Sequence, residues 1–138
     1  MKFLCLGYYD PKAFDGMSDA EAEEIARSCA PHDERLRASG RLHAVASLAH
    51  RTAVTLRPSP DGVLRTDGPY TETKEIIGSF FIIEAEDLDE AVRIASLHPA
   101  AQWGAHLGFG IEVRPIEMFD EVGLDQSRAT AHSGERSR

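Results

Sequence analysis

Hydrophobic positions along the chain fall into segments with two different periods. Residues 2–9, KFLCLGYY, are apolar on both alternating sets, with Phe3, Cys5 and Tyr9 on one and Leu4, Leu6 and Tyr8 on the other. A strand apolar on both sides is one that is covered on both sides. A loop, DPKAFDGM, leads into SDAEAEEIARSCAPHDERLRASG, where the period becomes helical. Ser18 followed by Glu21 is a capping-box signature, and Gly40 is a suitable stop. Pro31 interrupts the segment, so the helix kinks there or a second short helix starts at the proline. At helical spacing Ile25, Cys29, His32 and Leu36 share one face. Strands are expected near 41–47, 52–57 and 62–66, with Ser59-Pro60-Asp61-Gly62 as a turn. GSFFIIEA, residues 78–85, reads as a strand apolar on both faces. Residues 87–98 read as a second helix, capped by Asp87 with Glu90 and carrying Leu88, Ala91 and Ala95 on its inner stripe. PAAQWGAHLGFG is a glycine-containing loop, and IEVRPIEMF, residues 111–119, is the last strand.

The resulting order, with an extra strand near the middle, is close to the β-α-β-β-α-β of a ferredoxin-like α+β fold. Helices would cover one face of an antiparallel sheet. The strands at 2–9 and 78–85 are apolar on the other face too, and the chain has no further helices to cover it. A second copy packed sheet to sheet, as a C2 homodimer, is the economical cover. From residue 120 the sequence turns polar and small, so the expected organisation is one domain over 1–119 and a flexible polar tail over 120–138.

Charge narrows the partners. The formal net charge is −8, and Arg35, Arg37 and Arg41 are the nearest approach to a basic cluster, interleaved with Asp33 and Glu34. That composition argues against nucleic acid and against an anionic membrane surface. No apolar run approaches the roughly 20 residues of a membrane helix, and the first residues do not have the form of an export signal, so a cytoplasmic location is expected. Cys5 and Cys29 lie in apolar patterns without metal spacing and read as reduced packing cysteines. His98 and His106 are eight apart, and His43 and His50 seven apart; neither spacing makes a metal site, and none is expected.

The chemistry concentrates in TDGPYTETKE, residues 66–75. Asp67 ends a strand and opens a turn. It is either a general base or the acceptor of a backbone N–H in an Asx-type turn, with Gly68 and Pro69 shaping the backbone. His32, on the apolar helix face, is either a proton relay or a core histidine. Glu72 and Lys74 share one face of an extended segment, and Tyr70, Thr71 and Thr73 offer hydroxyl donors. Trp103, with His98 and His106, could line a pocket beside the glycine-containing loop.

TDGPYTETKE, GSFFIIEAEDLDEAVRIA and IEVRPIE, in that order, resemble the YCII-related family, in the subgroup named for an Asp-Gly-Pro-Phe motif. Here the motif is Asp67-Gly68-Pro69-Tyr70. The resemblance covers roughly residues 1–119. It implies a ferredoxin-like fold dimerised into an α/β barrel. Some relatives are enzymes of small molecules, including a dechlorinating enzyme of aromatic degradation, and a His/Asp pair has been proposed as catalytic. The family's histidine lies about eleven residues before the terminal glycine of the first helix. Counting back from Gly40 reaches Cys29, with His32 one turn later. Members of the subgroup often accompany extracytoplasmic-function sigma factors. The expectation is therefore a small-molecule site between the first helix and residues 66–75. Its chemistry would be cofactor-free acid–base catalysis, with Asp67 as base, His32 as partner, and Tyr70, Thr71, Glu72, Lys74 and Trp103 as ligand contacts. The alternative is a non-catalytic accessory or ligand-sensing domain linked to sigma-factor transcription control.

Overall fold

The structure, a computed structural model, describes residues 1–124. Four strands form one sheet: β1 (Lys2–Tyr9), β2 (Leu42–Ser47), β5 (Ile76–Glu84) and β6 (Gly110–Pro115), in the order β2-β5-β1-β6. Every neighbouring pair in it is antiparallel. Counting these four strands alone, the order is that of a ferredoxin-like sheet, with the first strand central.

The middle of the chain differs from the expected extra strand. β3 (Val54–Ser59) and β4 (Gly62–Asp67) form a separate two-stranded sheet closed by Pro60 and Asp61. This hairpin scarcely touches the other elements, and its residues are exposed apart from Thr55 and the half-buried Ser59. Strand periodicity reveals a pleat but not which edge it joins, which is why the sequence pattern alone placed it near the main sheet.

Helix α1 (Asp19–Ala38) runs unbroken through Pro31. Its start has both halves of the capping box: Ser18 Oγ accepts from the Glu21 N–H at 3.1 Å, and Glu21 accepts from the Ser18 N–H at 3.0 Å. Helix α2 (Leu88–Ala95) buries Ala91, Ile94 and Ala95, whereas Leu88, expected inside, is about half exposed. A one-turn helix, α3 (Pro99–Gln102), and a 3-10 turn at Ala105–Leu107 occupy what reads in sequence as loop.

Phe3, Cys5, Phe81 and Ile83 are fully buried between the sheet and the helices, with Leu36, Ala91 and Ala95 packed over them. Each fully buried large side chain of this kind contributes roughly 1.5–3 kcal/mol. The strand register arranges this face in rows. Phe3 pairs with Ile83, Cys5 with Phe81, and Gly7 with Ser79. Ser47 is the β2 partner of Ser79. Two apolar rows are thus followed by one of glycine and hydroxyls, and there the helices and sheet part to leave a cleft. On the opposite face Leu4, Leu6, Phe80 and Ile82 are only half buried. Beyond β6 the chain returns across one end of the sheet: Lys2 lies over the Phe119 ring, and Phe119 stands edge-on to His43 of β2. Residues 120–124 are exposed and without regular structure; the rest of the expected tail lies outside the described residues.

Candidate functional site

A cleft of about 620 Å³ opens between α1 and the third row of the sheet. Gly7, Ser47 and Ser79 form its floor. Cys29, Asp33 and Arg37 come down from α1 at intervals of four residues, the spacing that keeps side chains on one helix face. One wall is aromatic. Tyr9 stands edge-on to Phe14 at 5.5 Å, Phe14 stacks on Phe109 at 6.2 Å, and the Tyr9 hydroxyl is hydrogen-bonded to His50 Nδ1 at 2.8 Å. Gly78 makes this wall possible, since a Cβ there would lie 2.6 Å from the Tyr9 ring.

His98 also lines the cleft. Its ring stacks on the core residue Phe81 at 4.7 Å between centroids, with 4° between planes. Burial holds its pKa below the ordinary imidazole value, against a smaller upward pull from the Asp33 carboxylate. His98 Nδ1 accepts the Ala100 N–H at 3.0 Å, capping α3. An imidazole nitrogen that accepts carries no proton, so the neutral ring keeps its proton on Nε2 and is a donor there. Burial, and secondarily Asp33, raises the Cys29 pKa, so its thiol is protonated at neutral pH rather than a thiolate nucleophile. Among the described residues Asp33 and Arg37 take part in no ion pair. The cleft therefore presents an open anion, an open cation, a neutral imidazole donor, two hydroxyls and an aromatic wall.

A second cleft, of about 910 Å³, lies beside residues 69–74. Tyr70, Thr71, Glu72 and Lys74 all line it, so these four expected ligand contacts do come together. Tyr8, Lys12 and Arg51 face them. Loop residues 48–53 divide the two clefts: Leu48 and His50 line the first, Ala49 and Arg51 the second. Arg51 adopts φ 58°, uncommon for a residue with a side chain, and its guanidinium holds Asp15 at 3.0 Å.

The expected acid–base pair is not brought together. Neither Asp67 nor His32 lines either cleft. The Asp67 side chain is 87% exposed at the end of β4, 3.6 Å from Arg65. Nor does its carboxylate hold the turn that follows. Gly68, at φ 112°, donates its N–H to Ala53 O, and the buried Thr55 hydroxyl donates to Gly68 O at 2.7 Å. His32 Nδ1 is engaged by Arg35, one turn along the same helix. Trp103 lines neither cleft; it stands edge-on to His106 and to Phe109 of the first cleft's wall. Asp33 and Arg37 lie in the run that the sequence offers only as the nearest approach to a basic cluster, whereas His98, grouped there with Trp103 and His106 as a pocket candidate, is the one of the three that lines the first cleft.

The family model for the YCII-related domain matches residues 1–119. The chain belongs to the YCII-related family. A relative from Rhizobium meliloti (strain 1021), described as uncharacterized protein R00369, is 32% identical over 124 residues, which span 86% of this chain and 94% of the relative. Among solved structures, the 5-chloro-2-hydroxyhydroquinone dehydrochlorinase of Burkholderia phenoliruptrix AC1100, in complex with 2,5-dihydroxybenzoquinone, is similar at 21% identity and a TM-score of 0.41, covering 85% of this chain and 94% of that one. No helix among the described residues of this YCII-related protein is long and apolar enough to cross a membrane.

Proposed function

We propose that this YCII-related protein, of the Asp-Gly-Pro-Phe subgroup, binds a small molecule in the cleft beneath α1 and moves a proton on it without a cofactor. The observation that carries this reading is His98. It is a neutral ring fixed against Phe81, with its donor on Nε2, in a cleft that Asp33 also lines. Such a ring stabilises negative charge developing on a substrate oxygen, as a hydrogen-bond donor rather than as a base. Asp33 is then the base, accepting a C–H or O–H proton, and Arg37 holds an anionic group. Elimination and isomerisation are the reaction types this set serves. The pair Asp33 and His98 takes the roles expected of Asp67 and His32.

The test is deuterium wash-in. Ligands found by screening small carboxylic acids and phenols are incubated with the protein in D2O and followed by NMR. A proton-transfer enzyme places deuterium at the acidic position of a bound ligand, and Asp33→Asn abolishes it. Ligands that bind but take up no deuterium beyond the uncatalysed rate sink the enzymatic reading. They leave the non-catalytic alternative, a cytoplasmic ligand-sensing domain linked to an extracytoplasmic-function sigma factor. We also propose that the half-buried face of Leu4, Leu6, Phe80 and Ile82 is covered by a second copy, giving the sheet-to-sheet homodimer.

A further inference from the structure

The floor of the first cleft carries more information than its charges. In the core-facing row after Cys5 and Phe81, periodicity calls for large apolar side chains. The chain has Gly7, Ser79 and Ser47 there instead, side by side on three adjacent strands. Adjacent partners in such a row lie about 4.5–5.5 Å apart at Cβ. Gly7 is buried, and a Cβ on it would lie 2.2 Å from Ser79 Oγ but 3.6 Å from Ser79 Cβ. The hydroxyl therefore leans across the strand into the space that glycine leaves. Among the described residues no buried side-chain oxygen or nitrogen lacks a partner, and neither serine hydroxyl makes a side-chain hydrogen bond. The half-buried Ser79 hydroxyl is therefore open to solvent, Ser47 is itself exposed, and both serines line the cleft together with Arg37 and the Tyr9, Phe14 and Phe109 rings.

We infer that the Ser79 hydroxyl, seated over Gly7 and seconded by Ser47, is the oxygen-recognition element of this cleft, so that its ligand is a ring-bearing hydroxy acid. The carboxylate goes to Arg37, the ring lies against the aromatic wall, and the ring hydroxyl goes to Ser79. A site built to hydrogen-bond a hydroxyl discriminates against the analogue lacking it, because its own polar group is then left unpaired. This inference rests on the small-molecule reading above and names its ligand class.

The probes are benzoate and the three monohydroxybenzoates, with affinities measured by calorimetry on the full chain. Wild type binds at least one hydroxybenzoate tenfold or more tighter than benzoate. Ser79→Ala abolishes the preference: that isomer and benzoate bind the variant equally, the isomer more weakly than to wild type and benzoate no more weakly. Gly7→Ala, with Ser79 still present but its hydroxyl displaced, loses the same preference; circular dichroism and melting curves check that both variants fold. Equal binding of benzoate and all three isomers by wild type, or a preference that survives Ser79→Ala, overturns the inference. So does a panel in which nothing binds. None of these outcomes touches the deuterium wash-in result, which is read on whatever ligand the screen finds, so the two proposals fail separately.

Discussion

At the scale of single residues, His98 does three things with one ring: it packs on Phe81, caps α3 through Nδ1, and lines the cleft with Nε2 left as its donor. The packing gives the titration a predictable sign. The unfolded chain takes up a proton near the ordinary value of 6.5, while the folded chain resists it to lower pH because the ring is desolvated. Between those two values the unfolded state binds more protons, so stability falls as pH drops through that window and levels off below it. His98→Asn keeps an acceptor for the helix cap but does not titrate. Melting curves should show wild type more stable than the variant at pH 7, with the gap narrowing towards pH 5. A gap independent of pH refutes this account of the ring. Residue types alone singled out Asp67, because its turn is locally distinctive. They missed Asp33, because a carboxylate among charged neighbours is distinguished only by what faces it across space.

Elements were legible wherever the pattern is local. The two-sided strands, the capping box and the acidic cap of α2 all lie where hydrophobic period and side-chain chemistry place them. Ser18→Ala removes the side-chain acceptor from the Glu21 N–H and leaves Glu21 without its reciprocal partner. It should cost about 1 kcal/mol in denaturant unfolding at unchanged m-value, and a loss under a few tenths would show that the start of α1 is held by other contacts. Less legible was what hydrophobic period alone does not fix: which strands pair, whether a helix passes a proline, and which elements pack together. The hairpin pairs only with itself. Pro31 sits within a helix that continues on both sides of it. α3 packs beside α1, and that contact joins His98 to the Asp33 side of the cleft.

For the whole molecule, the ferredoxin-like sheet has one face covered by its own helices and the other only half buried. Light scattering at micromolar concentration should give the mass of a dimer. Phe80→Glu, which places a charge at the centre of the open face, should give that of a monomer with unchanged helix content. A wild-type monomer would refute the second copy as cover. The central place of β1 has a further consequence, for the order of folding. β1 pairs with β5, as Leu6 with Phe80, and with β6, as Tyr8 with Gly110. Both ladders join residues far apart in sequence, and such contacts form slowly because long loops must close first. The β3–β4 hairpin needs only its own turn. On a ribosome the local pieces can therefore form early, while the first strand made waits for β5 before the cleft has a floor.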